Sequence, residues 1–302
     1  IRYCDGQDLQ TGPESMFSDI DKLIKNLEVK QIADNIFTGE SPAMPPRIYG
    51  GQVLAQSLYA AMRTVEKDRI AHSLHANFLR PGDPTKTVVY EVDRIRDGRS
   101  INTRQVLAKQ DGLAIFSTSV SFQVSEDGLN HQMDAPAVPA PEALENDDKY
   151  WTRINEANNG RFAFMASSPV PVERHSVTRR DPVNPQPTDP AQQVWMKVLK
   201  NPGDDLQRHQ LLLTYMSDFG LLATALYPHP HSTFGNSILP ASLDHSLWFH
   251  RPFRVDEQLL FSMDSPSASG GRGFSRGSFY TRDGELVASC AQESLIRLNT
   301  HQ

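Results

Sequence analysis

Leu211 to Leu226 reads LLLTYMSDFGLLATAL, sixteen residues in which Asp218 is the only charged side chain. A helix that is apolar all round is buried, or crosses a membrane if it reaches ~18–20 residues; this stretch is too short and interrupted to cross. Asp218 is therefore expected inside the fold. Burying a carboxylate is costly unless partners satisfy it, so Asp218 is either a structural hydrogen-bond hub or a working group, and the residue alone leaves the two even. Candidate partners stand on strand patterns. Ser242 precedes the run LDHSLWF, and in Val287 to Ile296 period-two alternation puts Cys290, Gln292 and Ser294 on one face and Glu293 on the other. Taken alone, Ser242 and Gln292 read as an ordinary strand hydroxyl and amide. If Asp218 is a working group, a carboxylate with a hydroxyl and an amide as partners has the groups that general acid–base chemistry needs.

Other constellations are weaker. Gly273-Phe274-Ser275-Arg276-Gly277 matches G-x-S-x-G, and a serine hydrolase using Ser275 is one alternative function. That motif needs a strand-to-helix turn, whereas strand-like residues follow here. Asp244-His245-Ser246 holds triad residue types, but consecutive strand residues alternate faces and cannot relay to one another, so the tripeptide reads as structural. His72 with His75, and His229-Pro230-His231, lack carboxylates or thiols at ligand spacing, so no metal site is expected. Cys290 reads as a small buried residue rather than a nucleophile. Ser269-Gly270-Gly271-Arg272-Gly273 lacks the Lys-Ser/Thr of a phosphate loop.

The elements that must position these residues follow from periodicity. Ile20, Leu23, Ile24 and Leu27 mark a helix with Ser18 as cap, and Gly50-Gly51 opens a second with Leu54, Leu58, Ala61, Met62 and Val65 on one stripe. Thr87 to Val92, Asn102 to Ala108 and Leu113 to Gln123 read as antiparallel strands, with a hairpin at Asp111-Gly112. Nine of the 21 prolines fall between Pro136 and Pro190, which reads as a linker region holding a short helix over Tyr150 to Met165 and a strand over Val170 to Val177. Gln193 to Leu199 reads as a strand, and Asp204 or Asp205 caps a long helix reaching about Leu226.

The second half repeats the first. Arg80-Pro81, Gly98-Arg99 and Asp111-Gly112 recur as Arg251-Pro252, Gly271-Arg272 and Asp283-Gly284, at offsets of 171, 173 and 172 residues. Three dipeptides in one order at a nearly constant offset indicate duplication. The unit is a long helix followed by an antiparallel sheet, an α+β layer solution. The same offsets set Gln292 against Val120 and Ser242 against Ala71, so only the second copy carries the polar set. The organisation expected is residues 18–125, a linker at 126–190, and 191–298 with the polar site.

A chain of 302 residues has room for two such units at ~150 residues each. Its net charge of −6 argues against a general nucleic-acid surface. Cys4 and Cys290 stand at opposite ends, so no disulfide framework or CxxC site can be drawn. No secretory leader or glycosylation sequon is read, and a cytoplasmic location without membrane insertion is expected. Ile1 to Gly12 shows no periodicity and is given no function.

Several long motifs together carry a family resemblance. YGGQVLAQSL (Tyr49 to Leu58), Phe78 to Gly82, SLDHSLWFHRPF (Ser242 to Phe253), Ser267 to Phe274 and GSFYTRDGELVASCAQ (Gly277 to Gln292) resemble the acyl-CoA thioesterase II family, over about Ser18 to Leu298. The resemblance implies a double hotdog, two antiparallel sheets each wrapped around a central helix. It implies hydrolysis of fatty acyl-CoA to free acid and CoA without metal, cofactor or covalent intermediate, and a homodimer or homotetramer. It also implies that Asp218, Ser242 and Gln292 direct the attacking water; many bacterial members carry Thr where this chain has Ser242. By analogy with other hotdog enzymes, backbone N–H groups at Gly50 and Gly51 are candidates for the oxyanion. A double hotdog that binds acyl-CoA without turning it over is a further alternative. Arg99, Arg272 and Arg276 are candidates to meet the CoA phosphates, or else solvated arginines at hairpin ends.

Overall fold

The computed structural model describes residues 19–42, 47–167, 170–234 and 237–299. The expected cap Ser18, Cys4 and Ile1 to Gly12 lie outside the described residues. Helix α1 (Ile20–Leu27) is capped by Asp19, whose carboxylate accepts from the Asp21 N–H at 3.1 Å, and it buries Ile20, Leu23, Ile24 and Leu27 as the spacing predicts. Strands β1 (Lys30–Ala33) and β2 (Ile36–Gly39) follow, then α2 (Gly50–Met62), β3 (Ile70–Phe78), β4 (Val88–Asp97), β5 (Ile101–Gln110) and β6 (Leu113–Gln123). Helix α2 is buried almost all round rather than on one stripe, because sheet strands and a second helix enclose it.

The proline-rich region is more than a linker. It holds α3 (Asp147–Ala157), the short α4 (Ala163–Ala166) and β7 (Val172–Ser176), so the helix expected over Tyr150 to Met165 is two pieces. Strand β7 pairs with β8 (Ala191–Val198), which attaches the end of this region to the second half. Upstream, Trp195 Nε1–H donates to the Pro139 carbonyl at 2.9 Å, tying the proline run to the same half.

The long apolar helix is also broken. Helix α5 (Leu206–Met216) starts at Asp205, whose carboxylate accepts from the Gln207 N–H at 3.0 Å, and ends at Ser217; a second short helix, α6 (Leu221–Thr224), starts after Gly220. Gly220 has φ +85°, a left-handed conformation that a helix interior does not allow and glycine adopts readily. Asp218 therefore lies in the turn between two helices, not on a helical face. Strands β9 (Ile238–Ser242), β10 (Asp244–Phe249), β11 (Leu259–Ser269), β12 (Arg272–Thr281) and β13 (Leu286–Leu298) complete the chain.

Among the described residues all strand pairs are antiparallel and form one 13-stranded sheet in the order β1-β2-β4-β5-β6-β3-β10-β13-β12-β11-β8-β7, with β9 paired to β13. The order reads as two mirrored sets of six that meet at β3 and β10. At that seam His75 faces Ser246, its own counterpart 171 residues on, which marks the pseudo-twofold axis. Helix α2 packs on the first half-sheet, α6 on β11 to β13, and α5 against α2. This is the double hotdog expected, with duplication visible residue by residue. Arg104 pairs with Val120 across β5 and β6, and at the matching place Ser275 pairs with Gln292 across β12 and β13. In the first copy Arg104 is buried and donates to Thr64 Oγ1 at 2.9 Å and to the Thr64 carbonyl at 3.0 Å, filling a place that stays small and polar in the second. Among the described residues no helix is long and apolar enough to cross a membrane.

Candidate active site

The break after α5 brings the two halves together at their helix ends. The N-cap of α2, Tyr49, makes no side-chain cap to its own helix. Asp218 does so instead: its Oδ2 accepts from the Gly51 N–H at 3.0 Å. Tyr49 returns the contact, its hydroxyl donating to the Tyr215 carbonyl in the last turn of α5 at 3.0 Å. Each helix thus has an orphan backbone group satisfied from the other half, and the Asp218 charge sits where the α2 dipole favours an anion.

Glycine is required at this junction. A Cβ on Gly50 would stand 2.6 Å from Asp218 Oδ2, and one on Gly51 would stand 2.3 Å from the Tyr215 carbonyl oxygen. Aromatic rings close the surroundings, with Tyr49 edge-on to Tyr215 at 5.0 Å and stacked with Phe219 at 5.5 Å. Burial among them pushes the Asp218 carboxyl up to about 7, against the opposing pull of the Gly51 N–H and the Gln292 amide. That value suits a group that must exchange a proton near neutrality.

Gln292 connects the carboxylate to the sheet. Strand alternation turns it inward with Cys290 and Ser294, all three buried, as the spacing predicts. Its amide nitrogen donates to Ser242 Oγ at 3.1 Å and Ser294 Oγ at 3.1 Å, and faces the Asp218 carboxylate. Its amide oxygen lies 2.8 Å from His245 Nδ1. His245 Nε2 in turn lies 2.9 Å from Ser217 Oγ, the residue before Asp218. Asp218, Ser242 and Gln292, drawn from a turn and two strands, are thus joined in one network.

Residue type and spacing read His245 as structural and give Ser217 no role. The signal was present on β10, where alternation turns His245, Leu247 and Phe249 inward together. Alternation separates Asp244, His245 and Ser246 from one another, and His245 makes its contacts with Gln292 and Ser217 of other segments. Cys290 shares this neighbourhood, but burial and the Asp218 carboxylate raise its thiol far above the usual range, so it stays protonated.

A cavity of about 440 Å³ opens beside Asp218. Phe219, Trp151, Phe164, Val194 and Met263 line it, with Arg174 and Arg179 on its wall. Its size is that of a small-molecule site. It reaches Asp218 and Tyr49, while Ser242, Gln292, Gly50 and Gly51 stand outside its lining. Much of its wall comes from the proline-rich region.

The remaining candidates fall elsewhere. Ser275 lies in mid-strand on β12, paired with Gln292 of β13 and set at the irregularity of the β11 pairing between Asp264 and Ser267, so no strand-to-helix elbow presents it and the serine-hydrolase alternative loses its geometry. Arg272 pairs with Glu293 and Arg276 with Asp264 on the exposed face, and neither borders the cavity. His72 and His75 bond Ser121 and Ser246 on the sheet. Among the described residues no three His, Cys, Asp or Glu side chains gather as a metal site would require.

Fold and site together define a double hotdog whose second half, among the described residues, carries a buried polar network around Asp218 and Gln292. The acyl-CoA thioesterase family model matches residues 165–295, and the acyl-CoA thioesterase N-terminal domain model matches 39–123. Acyl-CoA thioesterase 2 of Haemophilus influenzae is 38% identical over 285 residues, covering 93% of this chain and 98% of that protein. Acyl-coenzyme A thioesterase 8 of Mus musculus is 38% identical over 90% of this chain and 88% of its own. The crystal structure of the acyl-CoA thioesterase II TesB2 of Mycobacterium marinum superposes with a TM-score of 0.76 at 38% identity, covering 92% of this chain and 100% of that one. The chain belongs to the acyl-CoA thioesterase family. The first family model begins at residue 165, ahead of β7, the strand that pairs with β8.

Proposed function

We propose that this protein hydrolyses fatty acyl-CoA thioesters to free acid and CoA by direct attack of water, as the names of its relatives suggest for them. The observation that carries the reading is a single carboxylate, poised near neutrality, joined to Gln292 and to the start of α2 and open to an apolar cavity. The acyl chain lies along the apolar wall of that cavity, with its thioester carbon at Asp218. Water sits among Asp218, Gln292 and Ser242. As its oxygen bonds to the thioester carbon, Asp218 takes its proton; collapse of the tetrahedral intermediate breaks the C–S bond and returns that proton to the departing sulfur.

The same proton transfer solves an electrostatic conflict at α2. In the ground state the Gly51 N–H is held by the carboxylate, so it is not free for an oxyanion. Once Asp218 is protonated its hold weakens, and the N–H can turn to the negative oxygen forming at the same helix end. The cavity-wall arginines Arg174, Arg179 and Arg180, rather than Arg99, Arg272 or Arg276, are the cations that face the bound substrate.

A homodimer or homotetramer in the cytoplasm belongs to the same proposal; β1, exposed at every residue, offers an open sheet edge. The test is release of free CoA thiol from medium-chain and long-chain acyl-CoA. Turnover supports hydrolysis, whereas tight binding with no thiol released would make the protein a carrier of acyl-CoA.

A further inference from the structure

We propose that His245 is a positioning residue for this reaction: as the Nδ1–H tautomer it fixes which way round the Gln292 amide stands, and so aims the amide NH2 at Asp218 and Ser242. The inference rests on the hydrolytic reading above and extends it to a side chain bonded to Gln292 rather than to Asp218.

A glutamine amide has two ends of nearly equal shape, one donating and one accepting, so its surroundings must choose between them. Here the nitrogen end faces Ser242 Oγ, Ser294 Oγ and the carboxylate, and the oxygen end lies 2.8 Å from His245 Nδ1. An amide oxygen in that place needs a donor, so Nδ1 carries the proton. Nε2 then has only a lone pair and needs a donor of its own.

Ser217 supplies it. Its Oγ stands 2.9 Å from Nε2 and 2.9 Å from the Thr214 carbonyl, and its one hydroxyl proton can serve only one of them. Given to Nε2, it completes a directed chain from Ser217 through His245 to Gln292. Given to Thr214, it forces the Nε2–H tautomer and leaves Nδ1 bare. The amide must then turn round, setting its oxygen against the Asp218 carboxylate. His245 is completely buried, and burial pushes its ring down to about 4, so it does not escape the choice by protonating both nitrogens.

The duplication supplies an independent observation. The counterparts of His245 and Gln292 in the first half are Leu74 and Val120, which are buried and pair with each other across β3 and β6. The copy without the glutamine also lacks the histidine, as expected if the histidine serves the glutamine.

Two measurements test the proposal. Nitrogen NMR of the histidine-labelled full-length protein at neutral pH should show His245 protonated at Nδ1 and bare at Nε2; the opposite tautomer overturns the proposal without reference to activity. In thiol-release kinetics, His245→Leu should lower kcat about 10–100-fold while KM stays within about twofold. His245→Asn, whose amide N–H can stand where Nδ1–H stands, should restore most of that rate. In a Gln292→Ala background, His245→Leu should cost less than about twofold more, since the histidine acts through the amide.

A folded His245→Leu enzyme with unchanged kcat, or an equal loss without Gln292, contradicts the positioning role. If Gln292→Ala itself turns over at the wild-type rate, the water-directing site is wrong instead. Should His245→Leu fail to fold, the tautomer in the wild-type spectrum decides.

Discussion

The Asp218 carboxylate accepts a hydrogen bond from the Gly51 N–H at 3.0 Å across 167 residues of sequence, so the proposed base of one hotdog is the helix cap of the other. The proposed catalytic geometry and the docking of the two halves therefore share one contact. Gly51→Ala would drive a Cβ to 2.3 Å from the Tyr215 carbonyl oxygen, a backbone atom that cannot swing away. Overpacking of this kind costs about 1–3 kcal/mol. The variant should unfold at a lower denaturant midpoint and lose most thiol-release activity. Unchanged stability would mean that the helix ends are not held as closely as described.

Asp218 must be ionised to accept a proton, and its carboxyl is pushed up to about 7. The rate kcat/KM should therefore fall about tenfold per pH unit below that value and level off above it. A profile already flat at pH 5 would contradict the burial argument.

The same shift has a stability consequence. Between the ordinary carboxylate value of 3.8 and about 7, the folded chain keeps a proton on Asp218 that the unfolded chain has lost. Folded protein binds more protons there, so this group's contribution to stability falls as pH rises through the window. Asp218→Asn removes that loss while keeping an acceptor for Gly51. Thermal unfolding should show the variant ahead of wild type at pH 8, with the gap narrowing toward pH 4.

With the acyl chain in the cavity as proposed, the cavity rather than the network sets chain-length preference. Ala223 lies on the cavity wall. Ala223→Phe should fill part of the 440 Å³ and shift the preferred acyl-CoA to a shorter chain, with rates on short substrates kept. Equal loss on all chain lengths would put the acyl group elsewhere.

How much of this was legible in the sequence depends on the range of the forces involved. Hydrophobic alternation placed Gln292 inward beside Cys290, and the repeated Arg-Pro, Gly-Arg and Asp-Gly pairs disclosed two copies, because both signals are local or strictly periodic. The break at Gly220 was hidden by apolar residues on both sides, which satisfy a helix pattern whether or not the chain is continuous. The exchange between Tyr49 and Asp218 was not legible, since it joins two helix ends through packing of the halves. His245 escaped for a similar reason: a tripeptide tests neighbours in sequence, and its partners Gln292 and Ser217 lie 47 and 28 residues away. The proline count marked a linker, but composition does not show that β7 pairs with β8 or that this region walls the cavity.

The most direct test of the account is thiol release by Asp218→Asn, measured with long-chain acyl-CoA above pH 8, where the wild-type carboxyl is ionised. With circular dichroism and thermal unfolding confirming an intact fold, kcat should fall by about 100-fold or more. A folded Asp218→Asn protein that releases CoA at the wild-type rate would contradict the central claim that this carboxylate takes the proton from water.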